Sequence, residues 1–433
     1  MKALLAVLFL SSCYALSAEA IPALEPVRVA GDGRGFVLGQ TQRPFHPWGM
    51  NYGNAGRLME DFWNEDWETF AADFRELKVL GANVVRVHLQ FGKFMAAADR
   101  PNPAALQQLA RMLRLAEGTG IYLDVTGLAC YRPADVPAWY DAMDEPARWA
   151  AQAKFWEAIA EVCARSPAVF CYDLINEPLS PGGKRETGKW PSGSRFGGYD
   201  FLQYIALDPA GRPREEIAVA WIRRLTAAIR RHDEKTLITV GLLPWSREWK
   251  HLSGFLPAKV APELDFLSVH LYPDSKKPGE ALESLRQFAV GKPVVIEETF
   301  PLTCSVAELE EFLRASKEIA SGWIGHYDGQ TLDELEALDR SGQLTPKQAV
   351  YRDWLRLFVR LKREFAPEPV AAAIDRPRPG NAGQSLPAAM LTPLIEYFAT
   401  ESHASCCSNR LSSSACGRPL SSAGTGRPTG LRR

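Results

Sequence analysis

The stretch from 168 to 178 reads AVFCYDLINEP, an apolar run that ends in Asn176, Glu177 and Pro178. The run is typical of a buried strand, and Pro178 ends it because proline has no backbone N–H to donate. Taken alone, the last three residues are typical of a solvated turn. Alternatively, Glu177 lies at the carboxyl end of a barrel strand, where catalytic groups collect. The flanking sequence has to decide between these two interpretations.

Strand-like and helix-like segments alternate from residue 44 onward, and the helical spacing of apolar residues is clearest between 67 and 81. Strands that alternate with helices predict parallel βαβ units, and eight of them within about 250–400 residues fit a closed (β/α)8 barrel, an α/β fold. An open doubly wound sheet is the alternative, but no glycine-rich phosphate turn follows the first strand. The predicted strands are 44–53, 83–89, 121–127, 168–178, 237–241, 265–273, 293–300 and 322–329.

The rest of the chain divides into a cap, a domain and a tail. Residues 27–39, with Gly-Asp-Gly at 31–33, predict a short β-hairpin that caps the bottom of the barrel. We place the barrel domain at 21–366. Residues 367–433 are rich in Pro, Ala, Gly and Ser without an apolar period, which predicts a disordered tail.

The amino terminus has the features of an export signal. Lys2 precedes an apolar stretch and Ala18-Glu19-Ala20 forms a small-x-small cleavage site, so residues 1–20 predict a signal peptide. Leu10-Ser11-Ser12-Cys13 also resembles a bacterial lipobox, in which case Cys13 carries a lipid anchor. We predict a secreted or periplasmic protein, with a lipoprotein anchored to the membrane as the alternative. No later segment predicts a membrane span.

The composition argues against several classes of partner. Charged residues make up 23% of the 433 residues, and the formal net charge is -1. That balance gives no electrostatic reason to expect nucleic acid or an anionic membrane as a partner. The cysteines and the seven histidines show no zinc-site spacing, so we predict no metal and no other cofactor. Disulfide pairing cannot be deduced from the cysteine spacing.

Polar residues lie at the ends of the predicted strands, and a barrel brings such residues to one face. Two of them are carboxylates, Glu177 and Glu298, at the ends of the fourth and seventh strands. Glycoside hydrolysis needs such a pair, because one group protonates the leaving oxygen while the other attacks the anomeric carbon. The other members of the group are Asn51, Arg86, His88, Asn176, His270, Tyr272 and Trp323.

Four motifs together resemble glycoside hydrolase family 5, the cellulase-like retaining β-glycosidases of the (β/α)8 clan. They are NVVRVHL (83–89), INEP (175–178), SVHLYP (268–273) and VVIEETF (294–300). Each motif alone is a weak signal, but the four in this order are specific, and the resemblance covers about 27–364. It implies a double-displacement mechanism that uses two glutamates and no cofactor.

The resemblance implies particular roles for the residues of the fourth and seventh strands. Glu177 matches the general acid/base, Asn176 the residue that holds the sugar 2-hydroxyl, and Glu298 the nucleophile. Glu297 adjoins Glu298, and successive strand residues point to opposite faces, so only one of the two is expected to face the site. The family pattern favours Glu298.

Three other residues match supporting positions of the family. Arg86 resembles the arginine that keeps the nucleophile ionised, as a nearby cation should. Tyr272 resembles the tyrosine that hydrogen-bonds the same carboxylate, and His270 is placed to contact the substrate or the acid. Taken singly, Arg86 is as typical of a buried ion pair, and His270 of a core histidine. We interpret His88 as structural.

Two further residues keep two interpretations each. Asn51 resembles a substrate contact but could equally bond the neighbouring backbone. Trp323 matches the family tryptophan of the eighth strand, or it belongs to the core while His326, Tyr327 or Asp328 lines the site.

The longest insertion, 178–213, follows the fourth strand and contains five aromatic residues. It either walls the cleft and presents a ring to a sugar, or fills a gap at the top of the barrel.

These patterns predict an exported retaining glycoside hydrolase that acts on a β-linked glucan, mannan or related oligo- or polysaccharide. A transglycosylase with the same carboxylate pair is one alternative, and a carbohydrate-binding barrel without turnover is another. The presence of Glu177, Glu298 and Arg86 argues against the binding barrel.

Overall fold

The computed structural model describes residues 23–244 and 253–367. The predicted signal peptide and the chain from 368 onward lie outside the described residues. Within them, eight parallel strands close into a barrel in which each strand pairs with its successor and the eighth with the first. The predicted (β/α)8 fold is therefore confirmed. The barrel strands are β1 (Trp48–Asn51), β2 (Val84–Gln90), β3 (Tyr122–Ala129), β4 (Val169–Asn176), β5 (Leu237–Leu242), β6 (Leu267–His270), β7 (Val294–Glu298) and β8 (Gly322–His326).

A helix follows each barrel strand along the chain. These helices are α1 (Trp67–Val79), α2 (Pro103–Thr119), α3 (Glu145–Cys163), α4 (Arg214–Arg230), α5 (Pro257–Val260), α6 (Glu280–Arg286), α7 (Val306–Ser316) and α8 (Pro346–Phe365). Further helices in the connections are Met59–Phe62, Phe91–Phe94, Ala138–Asp141 and Leu332–Arg340. Local sequence sets the ends of the helices: Asn102 caps the first turn of α2, and Gly120 ends it in the left-handed conformation.

The barrel strands are buried on both faces, which explains their nearly continuous apolar sequences. On β2, Val85 and Val87 belong to the core cluster shared with the surrounding helices, whereas Arg86 between them lies inside the barrel. The same alternation brings polar side chains of several strands to the barrel axis.

The amino-terminal hairpin is confirmed and extended by one strand. Strands Val27–Val29, Phe36–Leu38 and Pro44–Phe45 form an antiparallel sheet. The ring of Phe36 packs edge-on against Phe170 and Phe266, with 5.2 Å between ring centroids in each case. This apolar plug closes the amino-terminal end of the barrel, so the carboxyl ends of the strands form the other, polar end.

The described helices and cysteines add two findings. None of these helices combines the length and the apolar character that crossing a bilayer requires. The cysteines of the body, Cys130, Cys163, Cys171 and Cys304, are all unpaired, and the first three are buried.

Candidate active site

Glu177 and Glu298 meet at the carboxyl-terminal end of the barrel. Glu298 is the last residue of β7, and Glu177 directly follows β4. One carboxylate oxygen of Glu177, one of Glu298 and a ring nitrogen of His270 all lie within 4.8 Å of one another. The two glutamate side chains keep 12% and 13% of their surface exposed, while His270 beside them keeps 1%. The pair therefore lies where a buried polar network reaches solvent.

The backbone at Glu177 explains why an apolar strand ends in Asn-Glu-Pro. Glu177 has a φ of 46°, a left-handed conformation that costs a residue other than glycine about 1–2 kcal/mol. Its N–H donates to the carbonyl of Gly241 on β5, at 2.9 Å. Such strain is typical of functional sites, where the surrounding structure holds a residue in place. The segment is thus a turn and also the end of a barrel strand.

Glu298 is held by a cation and a hydroxyl. Arg86 Nη1 donates to Oε1 at 2.5 Å, and the hydroxyl of Tyr272 donates to Oε2 at 2.6 Å. Burial raises the pKa of Glu298, but the charges of His270 and Arg86 outweigh this effect and hold the pKa below its usual value. Glu298 is therefore ionised at neutral pH.

His326, at the end of β8, completes the surroundings of Tyr272. Its Nε2 lies 2.9 Å from the Tyr272 hydroxyl. Tyr272 has a single O–H, which it donates to Glu298, so Nε2 of His326 is the donor in this contact. Burial lowers the pKa of His326, in agreement with a neutral ring.

Arg86 connects the strands beneath the pair. Its side chain is fully buried, and besides Glu298 it binds Asp173 at 2.7 Å, Asn51 at 2.9 Å and Asn176 at 3.1 Å. The guanidinium therefore has no surface left for a substrate. It positions Glu298 and Asn176 instead.

His270 bridges carboxylates on two strands. Nδ1 lies 3.0 Å from Glu177, and Nε2 lies 3.3 Å from Glu297. Burial lowers the pKa of His270, but Glu298, Glu177 and Glu297 raise it further, to about 10. His270 is thus a cation at neutral pH, with both ring nitrogens donating.

The structure corrects the predicted alternation at Glu297 and Glu298. Both side chains lie inside the barrel, because the pairing of β6 with β7 shifts by one residue: Val269 pairs with Ile296, and His270 with Glu298. Glu297 is the extra residue of this irregularity. Its fully buried carboxylate lies beneath the pair, between Arg86 and His270.

Two predicted substrate contacts do not fit their positions. The Nδ2 group of Asn51 donates to the carbonyls of Glu297 and Gly325, each at 2.9 Å, and its oxygen accepts from Arg86. Asn51 therefore bonds neighbouring protein groups. Trp323 points into the helix layer, where its Nε1 donates to Ser316 at 2.8 Å and its ring packs edge-on against Phe365. Trp323 is core, and His326 takes the place at the site.

Sequence reasoning missed Tyr131 and took His88 as merely structural. His88 lies at the same end of the barrel, with Nδ1 2.5 Å from the Tyr131 hydroxyl and Nε2 3.3 Å from the oxygen of Asn51. Burial and the charge of Arg86 hold the pKa of His88 well below its usual value, so the ring is neutral. The sequence did contain an indication of both residues. His88 lies two positions after Arg86 and so shares its strand face, and Tyr131 closely follows β3.

The insertion after β4 folds back over this end of the barrel. Arg195–Phe196 and Tyr199–Asp200 form a small antiparallel hairpin, which we call the mouth hairpin. Its far end is tied to the loop after β1, because the Tyr199 hydroxyl donates to the carbonyl of Gly56. Phe201 directly follows the mouth hairpin. Its carbonyl accepts a hydrogen bond from the Asn176 side chain at 3.2 Å, and its ring centroid lies 4.8 Å from that of Tyr131. The insertion therefore forms one side of the site, next to the carboxyl ends of β1, β3 and β4.

Two groups of side chains have atoms within 4.8 Å of one another, the spacing of a metal-ligand set. They are Glu177, His270 and Glu298, and Asp124, Asp173 and Glu297. Arg86 contacts both groups, at 2.5 Å from Glu298 and 2.7 Å from Asp173. A divalent cation in either group would lie against this guanidinium. The arrangement therefore favours Arg86, His270 and protons as the counter-charges.

Solved structures with the same fold include several carbohydrate-active proteins. An exo-β-1,4-mannosidase from Opitutaceae bacterium strain TAV5 aligns with a TM-score of 0.57 at 18% identity, over 82% of this chain and 67% of that one. A β-mannanase from the blue mussel Mytilus edulis gives 0.54 at 16% identity, over 79% and 97%. A GH5_18 protein from Bifidobacterium longum subsp. infantis gives 0.54 at 16% identity, over 75% and 80%. At these identities the likeness establishes the fold alone.

The sequence itself matches a family model. No curated protein sequence matches this chain significantly. The cellulase model of glycosyl hydrolase family 5 matches residues 40–310, which is more than half of the chain and contains β1 to β7 with both glutamates. The chain therefore belongs to glycosyl hydrolase family 5.

Proposed function

We propose that this glycoside hydrolase cleaves β-linked glycans by a retaining double displacement, with Glu298 as the nucleophile and Glu177 as the acid/base. The observation that carries the proposal is that one carboxylate oxygen of each lies within 4.8 Å of the other. Retaining glycosidases place the two groups about 5–5.5 Å apart, whereas inverting enzymes leave about 6.5–9.5 Å for a water molecule. The short separation supports retention.

In the first half-reaction, ionised Glu298 attacks the anomeric carbon while Glu177 donates its proton to the glycosidic oxygen. The bond from the anomeric carbon to the leaving oxygen breaks as the bond to Glu298 forms. Arg86 and Tyr272 hold the attacking carboxylate by hydrogen bonds to its two oxygens, at 2.5 and 2.6 Å. His270, 3.0 Å from Glu177, stabilises the negative charge that Glu177 acquires when it loses its proton.

In the second half-reaction, Glu177 takes a proton from a water molecule, whose oxygen attacks the anomeric carbon. Glu298 leaves as a carboxylate, and the two inversions give net retention. Both steps use the same pair, so no cofactor is needed.

We further propose a β-linked glucan, mannan or related oligo- or polysaccharide as the substrate. The test is a panel of soluble β-glucans and β-mannans, with the anomer of the first product followed by proton NMR. Early release of the β-anomer is expected, and early α-anomer would contradict the mechanism. Products longer than the substrate would identify a transglycosylase instead. Binding without cleavage of any glycan would indicate a barrel without turnover.

A further inference from the structure

Three carboxylates lie inside the barrel beneath the catalytic pair. Asp124 on β3, Asp173 on β4 and Glu297 on β7 are fully buried, and one oxygen of each lies within 4.8 Å of the others. The cations that face them are Arg86, which binds Asp173 at 2.7 Å and lies 3.5 Å from Glu297, and His270. With Glu177 and Glu298 above, five carboxyl groups surround two cations.

Asp124 lacks the partners that an ionised carboxylate requires. The thiol of Cys171 on β4 faces Asp124 but is only a weak donor. Among the described residues, neither oxygen of Asp124 receives a hydrogen bond with good geometry, and Oε1 of Glu297 receives none either. An ionised, unsolvated carboxylate without a donor is very costly, so such a group binds a proton instead. A single proton between Asp124 and Glu297 gives both side chains a partner.

The surroundings also determine which of the two residues, Asp124 or Glu297, holds this proton. Burial and the charge of Glu297 raise the pKa of Asp124 well above its usual value. Burial also raises the pKa of Glu297, but Arg86 and His270 lower it further, below its usual value. Asp124 therefore holds the proton and Glu297 the negative charge.

Glu297 is the contact that links this buried pair to the catalytic pair. Its Oε2 lies 3.3 Å from Nε2 of His270, whose Nδ1 lies 3.0 Å from Glu177. The backbone of β5 packs close against these groups: a Cβ at Gly241 would lie 2.8 Å from Oε2 of Glu297 and 2.9 Å from Nε2 of His270. The chain of contacts runs from Asp124 through Glu297 and His270 to Glu177.

We infer that Glu297 is a positioning residue: it shares a proton with Asp124 and, through its own negative charge, keeps His270 doubly protonated against Glu177. The inference rests on the proposed role of Glu177 as the acid/base. Arg86, Glu298, Tyr272, His326 and His88 are the other titratable groups that face His270. They lie on β2, β7 and β8 and, for Tyr272, just after β6, and every variant below keeps them.

The test is a titration of the histidine side chains by nitrogen-15 NMR in the full chain, with H270N used to assign the His270 signals. In the wild type, His270 is expected to stay doubly protonated from neutral pH up to about 10. Glu297→Gln should lower this midpoint by at least about one unit, because an adjacent opposite charge is lost. Asp124→Asn is the matched control: its amide supplies an N–H in place of the shared proton, so the midpoint should stay at the wild-type value.

Several results would overturn the inference. A wild-type His270 that is neutral at pH 7 would do so even if no variant folds. So would an unchanged midpoint in Glu297→Gln, or an equal drop in Asp124→Asn, which would show that Asp124 carries charge. A shift of the His270 signals on adding Ca²⁺ or Mg²⁺ would mean that the buried acids bind a metal instead of sharing a proton.

A kinetic measurement then links the contact to turnover. On a glycoside that the wild type cleaves, the ratio of kcat/KM for Glu297→Gln to that of the wild type should fall as pH rises through the lowered midpoint. A merely structural role would give the same ratio at every pH, and this result would contradict the inference. Absence of cleavage by the wild type would refute the proposed function alone, because the NMR titration needs no substrate.

Discussion

At the scale of single residues, the two glutamates of the pair differ in what surrounds them. Glu298 receives hydrogen bonds from Arg86 and Tyr272, whereas Glu177 faces His270. The two carboxylates therefore have different hydrogen-bond partners, and the two roles in a retaining glycosidase require different surroundings.

Replacing Arg86 should cost stability as well as activity. Arg86→Ala leaves Asp173, Glu297 and Glu298 without the guanidinium, and removing one partner of a buried ion pair costs about 3–5 kcal/mol. Urea denaturation should show that loss in the free energy of unfolding. The surface pair of Arg223 with Glu263 is the control, and Arg223→Ala should leave the midpoint nearly unchanged. Equal midpoints for both variants would contradict the central position of Arg86.

Tyr272→Phe should lower catalysis in addition to stability. The variant loses an O–H bond to charged Glu298, worth about 1.5–3 kcal/mol, so kcat/KM should fall roughly 10- to 150-fold. Tyr172→Phe is the matched control, because it removes a similar bond to Asp233, 2.8 Å long, that does not belong to the site. It should keep kcat/KM and lower only the thermal midpoint. Equal kinetic losses in both variants would rule out a specific role for Tyr272.

The sequence predicts residues at strand ends well and side-chain contacts poorly. Glu177, Glu298, Arg86 and His270 are brought together because parallel strands share one carboxyl end. The position of Trp323 in the helix layer depends on its partner Ser316, which lies on another element and leaves no local signal.

At the scale of elements, β7 shows where periodicity fails. A two-residue period allows one inward glutamate, yet the shifted pairing with β6 places both Glu297 and Glu298 inside the barrel. Such an irregularity is a property of two paired strands, so the sequence of one strand does not reveal it. Strict alternation would turn Glu297 away from the site, so its removal would have little effect. Because the structure places Glu297 inside the barrel, we expect its removal to disturb the site.

The insertion after β4 should contribute to substrate binding. Phe201→Ala removes the ring that packs on Tyr131 at 4.8 Å and loosens the carbonyl that Asn176 binds, so KM should rise several-fold with a smaller change in kcat. Phe196 in the mouth hairpin is the control, because its side chain is 70% exposed. Steady-state kinetics on the best glycan should show little effect of Phe196→Ala. A larger effect of Phe196→Ala would place the sugar on the hairpin's outer face instead.

At the scale of the whole molecule, the number of βαβ units determines the closed barrel, and this regularity made the fold predictable. The eight strand segments and the helices between them follow from hydrophobic periodicity. The third strand of the amino-terminal sheet, only two residues long, is too short for such a pattern. The last helix, α8, packs Phe365 against Trp48 and Trp323 at 5.0 and 4.7 Å, within the described residues.

Removing residues 368–433 should therefore leave the fold intact. Their composition offers little apolar surface to bury, so the thermal midpoint should shift by less than about 2–4 °C, the shift that 1 kcal/mol produces in a domain of about 150–250 residues. A chain that ends at 360 is the control, because it also loses the buried Leu361 and Phe365. That chain should unfold at a much lower temperature. A large drop on removing 368–433 alone would show that this segment stabilises the barrel.

The central claim, that Glu298 is the nucleophile and Glu177 the acid/base, is tested most directly by trapping the glycosyl-enzyme. In Glu177→Ala, a glycoside with a good leaving group needs no acid, so the intermediate should form and accumulate because no base activates water. Peptide mass spectrometry after brief incubation should find the sugar on Glu298. A sugar on Glu297, or no covalent adduct on a glycoside that the wild type cleaves, would contradict the account.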